Sequence, residues 1–374
     1  LVEGLQGLSE ITLFGAVDEH LGRTDQIQSD LITEERRMAF IQAAAAAAVS
    51  LLSGAAVLAA LYVGSGLVAG GRLSGAALVL IVLAVMASFE TVVGLPTAAQ
   101  FLSRTRAAGR RLLEVVESPP AVAFAASPPP APDGFDVAFD GVSFRYRPEL
   151  PRALDAVSLT IPHGRRVAVV GESGAGKSTL ANLLVRFFDP EAGAIRIGGR
   201  DIRTLGEPDL RRAMVALSQQ SHLFSATIRE NLLIAKRDAG EAELRAALAA
   251  ARLIDFVDAL PDKLETWVGE AGQLVSAGQA RRLAAARAIL RDAPIWVLDE
   301  PTEGLDRVTE VEFVHSLIEL TEGRTVLWIT HRLVNLQQMD GIIVLDHGRV
   351  ADLGTHAELL ARNQRYAQWC ARMI

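Results

Sequence analysis

The clearest chemical pattern in this sequence is the stretch Gly171–Thr179, which reads G-E-S-G-A-G-K-S-T. It fits the pattern G-x-x-x-x-G-K-[ST], in which glycines let successive backbone N–H groups surround a polyphosphate and a lysine reaches its terminal groups. An apolar run, Arg166–Val170, predicts a buried strand before it, and Ser178–Phe188 predicts a helix after it, with its N-terminus toward the anion. This context excludes an ordinary glycine turn and predicts a site for a nucleoside triphosphate. The predicted contacts are Gly171, Ser173, Gly174, Ala175, Gly176, Lys177, Ser178 and Thr179.

Two acidic residues follow a second apolar strand, Ile295–Leu298. Asp299 at the carboxyl end of that strand is predicted to hold Mg²⁺ together with the hydroxyl of Ser178. Glu300, one residue further, is placed to orient and deprotonate an attacking water. An acidic pair at a strand end is common by itself, but after a phosphate loop it predicts hydrolysis of the bound nucleotide.

The composition limits the other classes of function. The 374 residues allow two or three domains, and 50% of them are hydrophobic, so part of the chain is expected in lipid. A net charge of −7 and an aromatic content of 5% argue against nucleic acid as a partner. The single cysteine, Cys370, excludes an internal disulfide and a cysteine-cluster metal site. The chain begins at Leu1 without a visible signal peptide, and we expect a fragment of a longer polypeptide.

Two long apolar stretches predict membrane helices. Phe40–Gly71 contains no charged residue, and Leu73–Ser103 contains only Glu90, so each exceeds the roughly 20 residues that cross a bilayer. A pair of buried helices in a soluble core would show a polar face, and these stretches show none. The prediction is an antiparallel hairpin with helices at about 40–63 and 74–98. The turn between them is predicted from Gly64, Ser65, Gly66, Gly70 and Gly71.

Basic residues predict the orientation of this hairpin. Arg36 and Arg37 precede the first apolar stretch, and only Arg72 lies in the turn. Both flanks are therefore expected on the cytoplasmic side. Two alternatives stay open for Glu90, which either lines a translocation path or sits at an interfacial depth. Residues 1–38 are either a solvated helix or a loop that docks on the domain that follows. The basic residues after the second stretch are Arg104, Arg106, Arg110 and Arg111.

A proline-rich segment, residues 117–134, separates the apolar part from the rest and predicts an extended, semi-rigid linker. In residues 135–374 short strands alternate with helices, which predicts a parallel α/β core. A helix-rich section from about Thr227 to Leu290 predicts a helical subdomain within it.

The pentapeptide Val275–Gln279, V-S-A-G-Q, resembles the L-S-G-G-Q signature of the ABC transporter ATPases. The phosphate loop before it and Asp299–Glu300 after it stand in the order of that family. The resemblance implies that Ser276, Gly278 and Gln279 cap the γ-phosphate held by the phosphate loop of a second ATPase domain. It also implies an adenine-stacking role for Tyr146, contact of Gln219 with Mg²⁺ and water, and a γ-phosphate switch at His331.

The whole chain resembles an exporter half of this family, because a membrane segment precedes the ATPase domain through a linker. The resemblance implies that residues 1–116 are the last two helices of the membrane domain and that two ATP molecules close a pair of ATPase domains. Two loops resemble exporter-specific elements, His222–Asn231 and Val268–Glu270.

A narrower resemblance, to the CydC half-transporters, is carried by Ala87–Glu90, Glu300–Asp306 and Gly354–Leu360. It implies a heterodimer with a CydD-like half in the bacterial inner membrane, cysteine or glutathione as cargo, a link to haem, and support of cytochrome bd assembly. The open alternatives are a lipid or drug exporter half, a regulatory ATPase without transport, and an inactive structural partner.

Two positions depart from the family pattern. Ala277 replaces the first glycine of the signature, and Glu303–Gly304 replaces a common S-A before Leu305. Our hypothesis is that the site built from Lys177, Asp299 and Glu300 is intact, while the opposite site, which this signature completes, depends on the partner. An added methyl in a tight interface is able to weaken that opposite site.

Overall fold

The computed structural model describes residues 4, 7–125, 128–219, 222–305, 307–331 and 336–372. The chain divides into two compact units, Leu1–Pro119 and Pro120–Ile374, and each is described by itself. The boundary falls inside the proline-rich segment.

The first unit is helical in its described part. Two of its helices contain 18-residue windows with a mean hydropathy of 2.1 and 2.2, and no residue of either window is buried. By length and composition these two helices are able to cross a membrane. The helices are α1 (Leu8–Leu13), α2 (Val17–Ala69), α3 (Gly75–Val93) and α4 (Leu95–Val116).

The turn between the apolar helices is shorter than the glycine pattern predicts. Gly64, Ser65 and Gly66 continue α2, which ends only at Ala69. Gly64 is buried because the side chain of Leu78 on α3 occupies the space where a Cβ would lie. That glycine therefore allows close helix packing and does not make the turn, for which Gly71 supplies a φ of +71°.

The second apolar helix, in contrast, ends earlier than predicted. α3 stops at Val93, Gly94 interrupts the helix, and α4 begins with a proline in its first turn. Proline lacks the N–H that a continuous helix would use, and the first turn is where this loss costs least. Glu90 lies on α3 with an exposed side chain.

The second unit contains a six-stranded and a four-stranded sheet. The larger sheet has the order β10-β9-β3-β8-β7-β6, with all neighbours parallel except the β9–β10 pair. The smaller sheet, β2-β1-β4-β5, is antiparallel. The strands are β1 (Val137–Phe144), β2 (Leu154–Ile161), β3 (Arg166–Val170), β4 (Ala192–Ile197), β5 (Arg200–Asp201), β6 (Met214–Leu217), β7 (Ile295–Asp299), β8 (Thr325–Ile329), β9 (Gly341–Asp346) and β10 (Arg349–Gly354).

Helices cover the larger sheet and form the predicted helical subdomain. They are α5 (Lys177–Leu184), α6 (Glu207–Ala213), α7 (Ile228–Leu233), α8 (Glu241–Ala250), α9 (Ile254–Ala259), α10 (Ala277–Arg291), α11 (Arg307–Leu320), α12 (His356–Arg362) and α13 (Gln364–Arg372). Short 3₁₀ turns lie at Lys263–Glu265, Glu270–Gly272 and Leu336–Gln338.

Two apolar cores lie on the two faces of the larger sheet. One joins the helical subdomain to the sheet around Trp296 and Phe313. The other packs the antiparallel sheet and α5 on the opposite face around Val169 and Leu180. Because β3 and β7 are buried on both faces, they read as continuous apolar runs in the sequence.

The linker segment contacts the rest of the second unit at Ala123, Phe124 and Pro130. The guanidinium of Arg186 lies 4.4 Å from the ring centre of Phe124 and donates a hydrogen bond of 2.8 Å to the carbonyl of Ala123. Arg200 also donates to the carbonyl of Pro130. These contacts fix an extended segment that has no helix or strand of its own in residues 128–134.

The predicted fold class is confirmed. Long apolar helices precede a parallel α/β domain with a helical subdomain. The pattern did not predict β5, β6 or the antiparallel edge strand β10.

Candidate ATP site

The phosphate loop connects β3 to α5 at the carboxyl edge of the parallel sheet. Gly174 and Gly176 have φ angles of +81° and +101°, which side chains other than glycine rarely adopt. A Cβ on Gly171 would overlap the carbonyl oxygen of Leu345, so this glycine allows the close approach of β9. α5 begins at Lys177 without a side-chain cap, and its first backbone N–H groups are therefore suited to an anion.

Lys177 lies across this loop. Its Nζ donates hydrogen bonds of 2.9 Å to the carbonyls of Gly171 and Glu172. Burial lowers the pKa of the Lys177 ammonium, and the nearby carboxylates of Glu300 and Asp299 partly offset that effect. The lysine is thus held beside the residues predicted to surround a polyphosphate.

The predicted catalytic residues come together at the ends of β7 and β8. His331 Nδ1 lies 3.1 Å from Glu300 Oε1, and Gln219 Nε2 donates to Glu300 Oε2 at 3.3 Å. The backbone of Glu300 has a φ of +49°, an unusual conformation for a residue with a side chain. Its N–H donates to the carbonyl of Ile329 at 2.9 Å, which holds the residue in this conformation.

Asp299 provides the donor set expected for Mg²⁺. It is 6% exposed, and its Oδ1 is buried without a hydrogen-bond partner among the described residues. Burial raises the pKa of the Asp299 carboxyl, while the nearby hydroxyl of Ser178 opposes that shift. A buried carboxylate oxygen with free acceptor capacity beside a hydroxyl fits a hard cation that also binds phosphate oxygens. Mg²⁺ at Asp299 and Ser178 remains a prediction.

Arg281 organises this cluster, and the sequence pattern did not identify it. The residue is 8% exposed, and its guanidinium donates to the carbonyls of Glu300 at 2.8 Å and Gln219 at 2.7 Å. A third interaction reaches Glu303 at 3.4 Å. Arg281 lies two residues after the signature on α10, but no local signal indicates that it holds two loops from other parts of the chain.

Tyr146 lies beside α5 with 43% of its surface exposed. Its ring packs edge-on against Phe188 at 5.4 Å, and its hydroxyl lies 3.3 Å from Thr179 Oγ1. Asn182 donates to the same hydroxyl at 3.1 Å. An exposed aromatic ring next to the phosphate loop is available for stacking, and its contact with adenine stays a prediction.

The signature residues lie at the start of α10. Ser276 Oγ accepts from the N–H of Gln279 at 3.2 Å, and Gln279 Oε1 accepts from the N–H of Ser276 at 2.8 Å. A Cβ on Gly278 would lie 3.2 Å from Leu305, so this glycine packs on the loop after β7. Ser276 and Gln279 thus bond to each other in the structure. Their contact with a phosphate held by another domain stays a prediction.

The two departures from the family pattern are neighbours in space. The Cβ of Ala277 lies 3.9 Å from the position that a Cβ would take at Gly304. The extra methyl of Ala277 therefore faces Gly304 of the same chain, which has no side chain to clash with it. Asp306, which ends this loop, lies outside the described residues.

The comparisons with known proteins agree with this geometry. Residues 154–303 match the family model described as ABC transporter. The chain is 37% identical over 370 residues to the glutathione/L-cysteine transport system ATP-binding/permease protein CydC of Escherichia coli (strain K12), covering 99% of this chain and 64% of that protein. It is 34% identical over 365 residues to an ATP-dependent lipid A-core flippase of Vibrio parahaemolyticus, covering 97% of this chain and 62% of that protein.

A solved structure shows the same arrangement. A bacterial Atm1-family ABC exporter with ATP bound superposes with a TM-score of 0.85 at 32% identity, covering 99% of this chain and 65% of that one. The chain therefore spans less than two thirds of the length of these relatives. It consists of two long apolar helices followed by an α/β domain that matches the ABC transporter family model, and this arrangement matches that of the ABC exporter structure.

Proposed function

We propose that this chain belongs to one subunit of an ATP-driven exporter of the bacterial inner membrane, with the ATPase domain in the cytoplasm. The observation that carries the proposal is the cluster of Gln219, Glu300 and His331 beside the phosphate loop, in a chain that also has two long apolar helices. In this proposal residues 1–116 belong to the membrane domain, residues 117–134 are the linker, and residues 135–374 are the nucleotide-binding domain.

The chemistry of the site follows from its residues. The backbone N–H groups of the phosphate loop and the ammonium of Lys177 bind the phosphates of ATP. Glu300 accepts the proton of the attacking water, while Gln219 and His331 orient the carboxylate and the water. Ser178 and Asp299 would hold Mg²⁺, whose charge offsets that of the phosphate oxygens when it is bound.

Transport requires a second half-transporter in this proposal. Ser276, Gly278 and Gln279 complete a site on the partner, and the partner's signature completes the site at Lys177. Closing of the two ATPase domains around two ATP molecules is passed to the membrane helices, and hydrolysis reopens them.

Vesicle transport tests this function. Inverted vesicles that contain the complete transporter should accumulate labelled cargo when ATP is added. The Lys177→Ala variant should accumulate no more cargo than vesicles without ATP. Accumulation at the parent rate by this variant would contradict the proposal.

We propose a small thiol, cysteine or glutathione, as the cargo, with a CydD-like half as the partner and cytochrome bd assembly as the cellular role. The likeness to the Escherichia coli CydC protein supports this, because it extends over 99% of the chain at 37% identity and so includes both apolar helices. Flippases that match over 97% and 98% of the chain are 34% and 36% identical.

Lipid transport by a homodimer is the second candidate. A lipid A-core flippase of Dechloromonas aromatica is 48% identical, but over 62% of this chain. ATP-dependent uptake of labelled cysteine, glutathione and haem into inverted vesicles, compared with translocation of a labelled lipid in the same vesicles, separates the two candidates. Thiol uptake that needs a co-expressed, non-identical half favours the first, and lipid translocation by this subunit alone favours the second.

A further inference from the structure

The C-terminal helix α13 contacts the phosphate loop through an arginine. Arg365 places one nitrogen 2.8 Å from Glu172 Oε1, in the second position of the loop, and the other 2.9 Å from Asp346 Oδ2. One guanidinium therefore joins the phosphate loop to the end of β9. A planar group with two donor edges is suited to such a double contact.

The same β9–β10 hairpin holds the loop at a second point. Gly348 in its turn donates its N–H to the carbonyl of Ala175 at 3.0 Å. The carbonyl of Leu345 lies against Gly171 at the start of the loop. The hairpin thus makes backbone contacts with Gly171 and Ala175 of the loop. Arg365 adds an ion pair with Glu172.

The position of α13 beside the phosphate loop is fixed by the burial and hydrogen bonds of Tyr366. Tyr366 is fully buried, and its hydroxyl lies 2.8 Å from His356 Nδ1 on α12. The N–H of Tyr366 also donates to Asn363 Oδ1 at 2.9 Å. These contacts fix the helix on which Arg365 lies, one residue before Tyr366.

Trp369, one turn further along α13, reaches the nucleotide site. It lines a cavity of about 220 Å³ together with Gly171, Ser173 and His331. The guanidinium of Arg365 lies 5.3 Å from its ring centre, so the two side chains form one contact surface on the loop.

We propose that α13 sets the affinity of the site for ATP, with Arg365 as a positioning residue for the phosphate loop and Trp369 as a wall of the nucleotide cavity. Arg365 neutralises Glu172, a carboxylate that would otherwise repel the phosphates bound by the same loop. It touches neither Glu300 nor the attacking water, so its removal affects binding and not the chemical step. This inference rests on the proposed function only in requiring that the loop binds ATP.

The first test measures binding and turnover in the full chain with its partner half. Because the ion pair is partly exposed, Arg365→Ala should weaken MgATP about two- to fivefold and leave kcat within about twofold. The matched control is Arg362→Ala on α12, which removes a similar contact of 2.8 Å to Asp352, away from the loop. This control should leave both quantities unchanged.

A double-mutant cycle assigns the effect to the ion pair. In a Glu172→Gln background, Arg365→Ala should cause no further loss of MgATP affinity, because the charge that it neutralises is already gone. Additive losses, or equal affinities for Arg365→Ala and Arg362→Ala, would overturn the inference while leaving the proposed function intact. Failure of the parent protein to bind MgATP would overturn both.

Fluorescence tests the position of Trp369. MgATP should change the tryptophan emission of the parent protein, and Trp369→Phe should abolish that change. Trp267→Phe is the control, since Trp267 is 49% exposed and lies in the helical subdomain; this variant should keep the change. An unchanged response in Trp369→Phe would show that MgATP does not reach this wall.

Discussion

Two helix N-termini of the ATPase unit are predicted to face phosphate groups, and they are built differently. α5 follows Gly176 and has no side-chain cap, so its first N–H groups are free of side-chain partners. α10 follows Ser276, which forms a reciprocal capping box with Gln279. The first terminus is an open anion site, and the second is closed by its own side chains.

The difference between the two helix N-termini shows which of the two predicted phosphate sites a single chain completes. Around α5 the structure also supplies Lys177, Asp299 and Glu300 from the same unit. Around α10, no acidic catalytic pair or lysine belongs to the signature itself. Ser276 Oγ accepts one hydrogen bond, but its own O–H remains able to donate to a phosphate from outside. We therefore expect the signature to bind a phosphate only when a second ATPase domain packs against it.

The largest effect is expected from the open site. Lys177→Ala removes the ammonium that faces the phosphates and should lower ATP hydrolysis by at least about 100-fold. Steady-state phosphate release measures this. Lys236→Ala is the control: Lys236 forms an exposed ion pair with Glu243, and its loss should leave hydrolysis unchanged. Similar rates of ATP hydrolysis for Lys177→Ala and the parent would show that the N-terminus of α5 is not the site that hydrolyses ATP.

Glu300→Gln separates binding from chemistry at the open site. The amide keeps the size of the side chain but cannot accept the proton of water, so hydrolysis should fall about 100-fold. Binding of MgATP should stay close to that of the parent, and the closed dimer should accumulate. Equilibrium binding and size-exclusion chromatography check both outcomes. Hydrolysis by this variant at the parent rate would contradict the role of Glu300.

The closed terminus should show a smaller effect, and only in the assembled dimer. Gly278→Ala places a Cβ 3.2 Å from Leu305, which should shift the signature and lower hydrolysis about tenfold. MgATP binding at Lys177 should not change. Ala277→Gly is the control, because its methyl faces Gly304, and hydrolysis should stay within about twofold. A rise in hydrolysis of more than about twofold in Ala277→Gly would indicate that this methyl weakens the opposite site.

The smallest effect concerns stability. The folded-state pKa of Asp299 is raised by burial above the unfolded value, so the group favours folding at low pH and loses that contribution as pH rises through its folded pKa. At pH 7 the buried charge costs stability. Asp299→Asn should therefore raise the melting temperature by about 2–4 °C at pH 7, and the gain should shrink as pH falls.

Thermal unfolding without nucleotide at several pH values measures this effect. Asp258→Asn is the control with the opposite sign, because the hydrogen bond from Arg245 lowers the pKa of Asp258. A lower melting temperature for Asp299→Asn at pH 7 would show that the burial of this charge does not destabilise the fold.

Part of the candidate site was predictable from motifs whose residues are adjacent in the sequence, whereas Tyr146, Gln219 and His331 were predicted from the family resemblance. The phosphate loop and the pair Asp299–Glu300 each follow an apolar strand, and local spacing identifies them. Arg281 was not predictable, since its partners Glu300 and Gln219 lie 19 and 62 residues away. The glycines of the apolar hairpin were misassigned for a related reason: Gly64 serves a contact with Leu78, which glycine spacing does not encode.

The order of amino acids was enough to predict the chemistry proposed for this protein: a phosphate-binding loop, acids that follow a buried strand, and two stretches long enough to cross a membrane. Local backbone preferences and apolar periodicity act over a few residues, so they are readable without a structure. The three-dimensional fold was needed to reveal that Arg281 holds two loops together and that Arg365 joins the phosphate loop to β9. Those contacts depend on strand order and helix packing, which bring together residues as far apart as 193 positions.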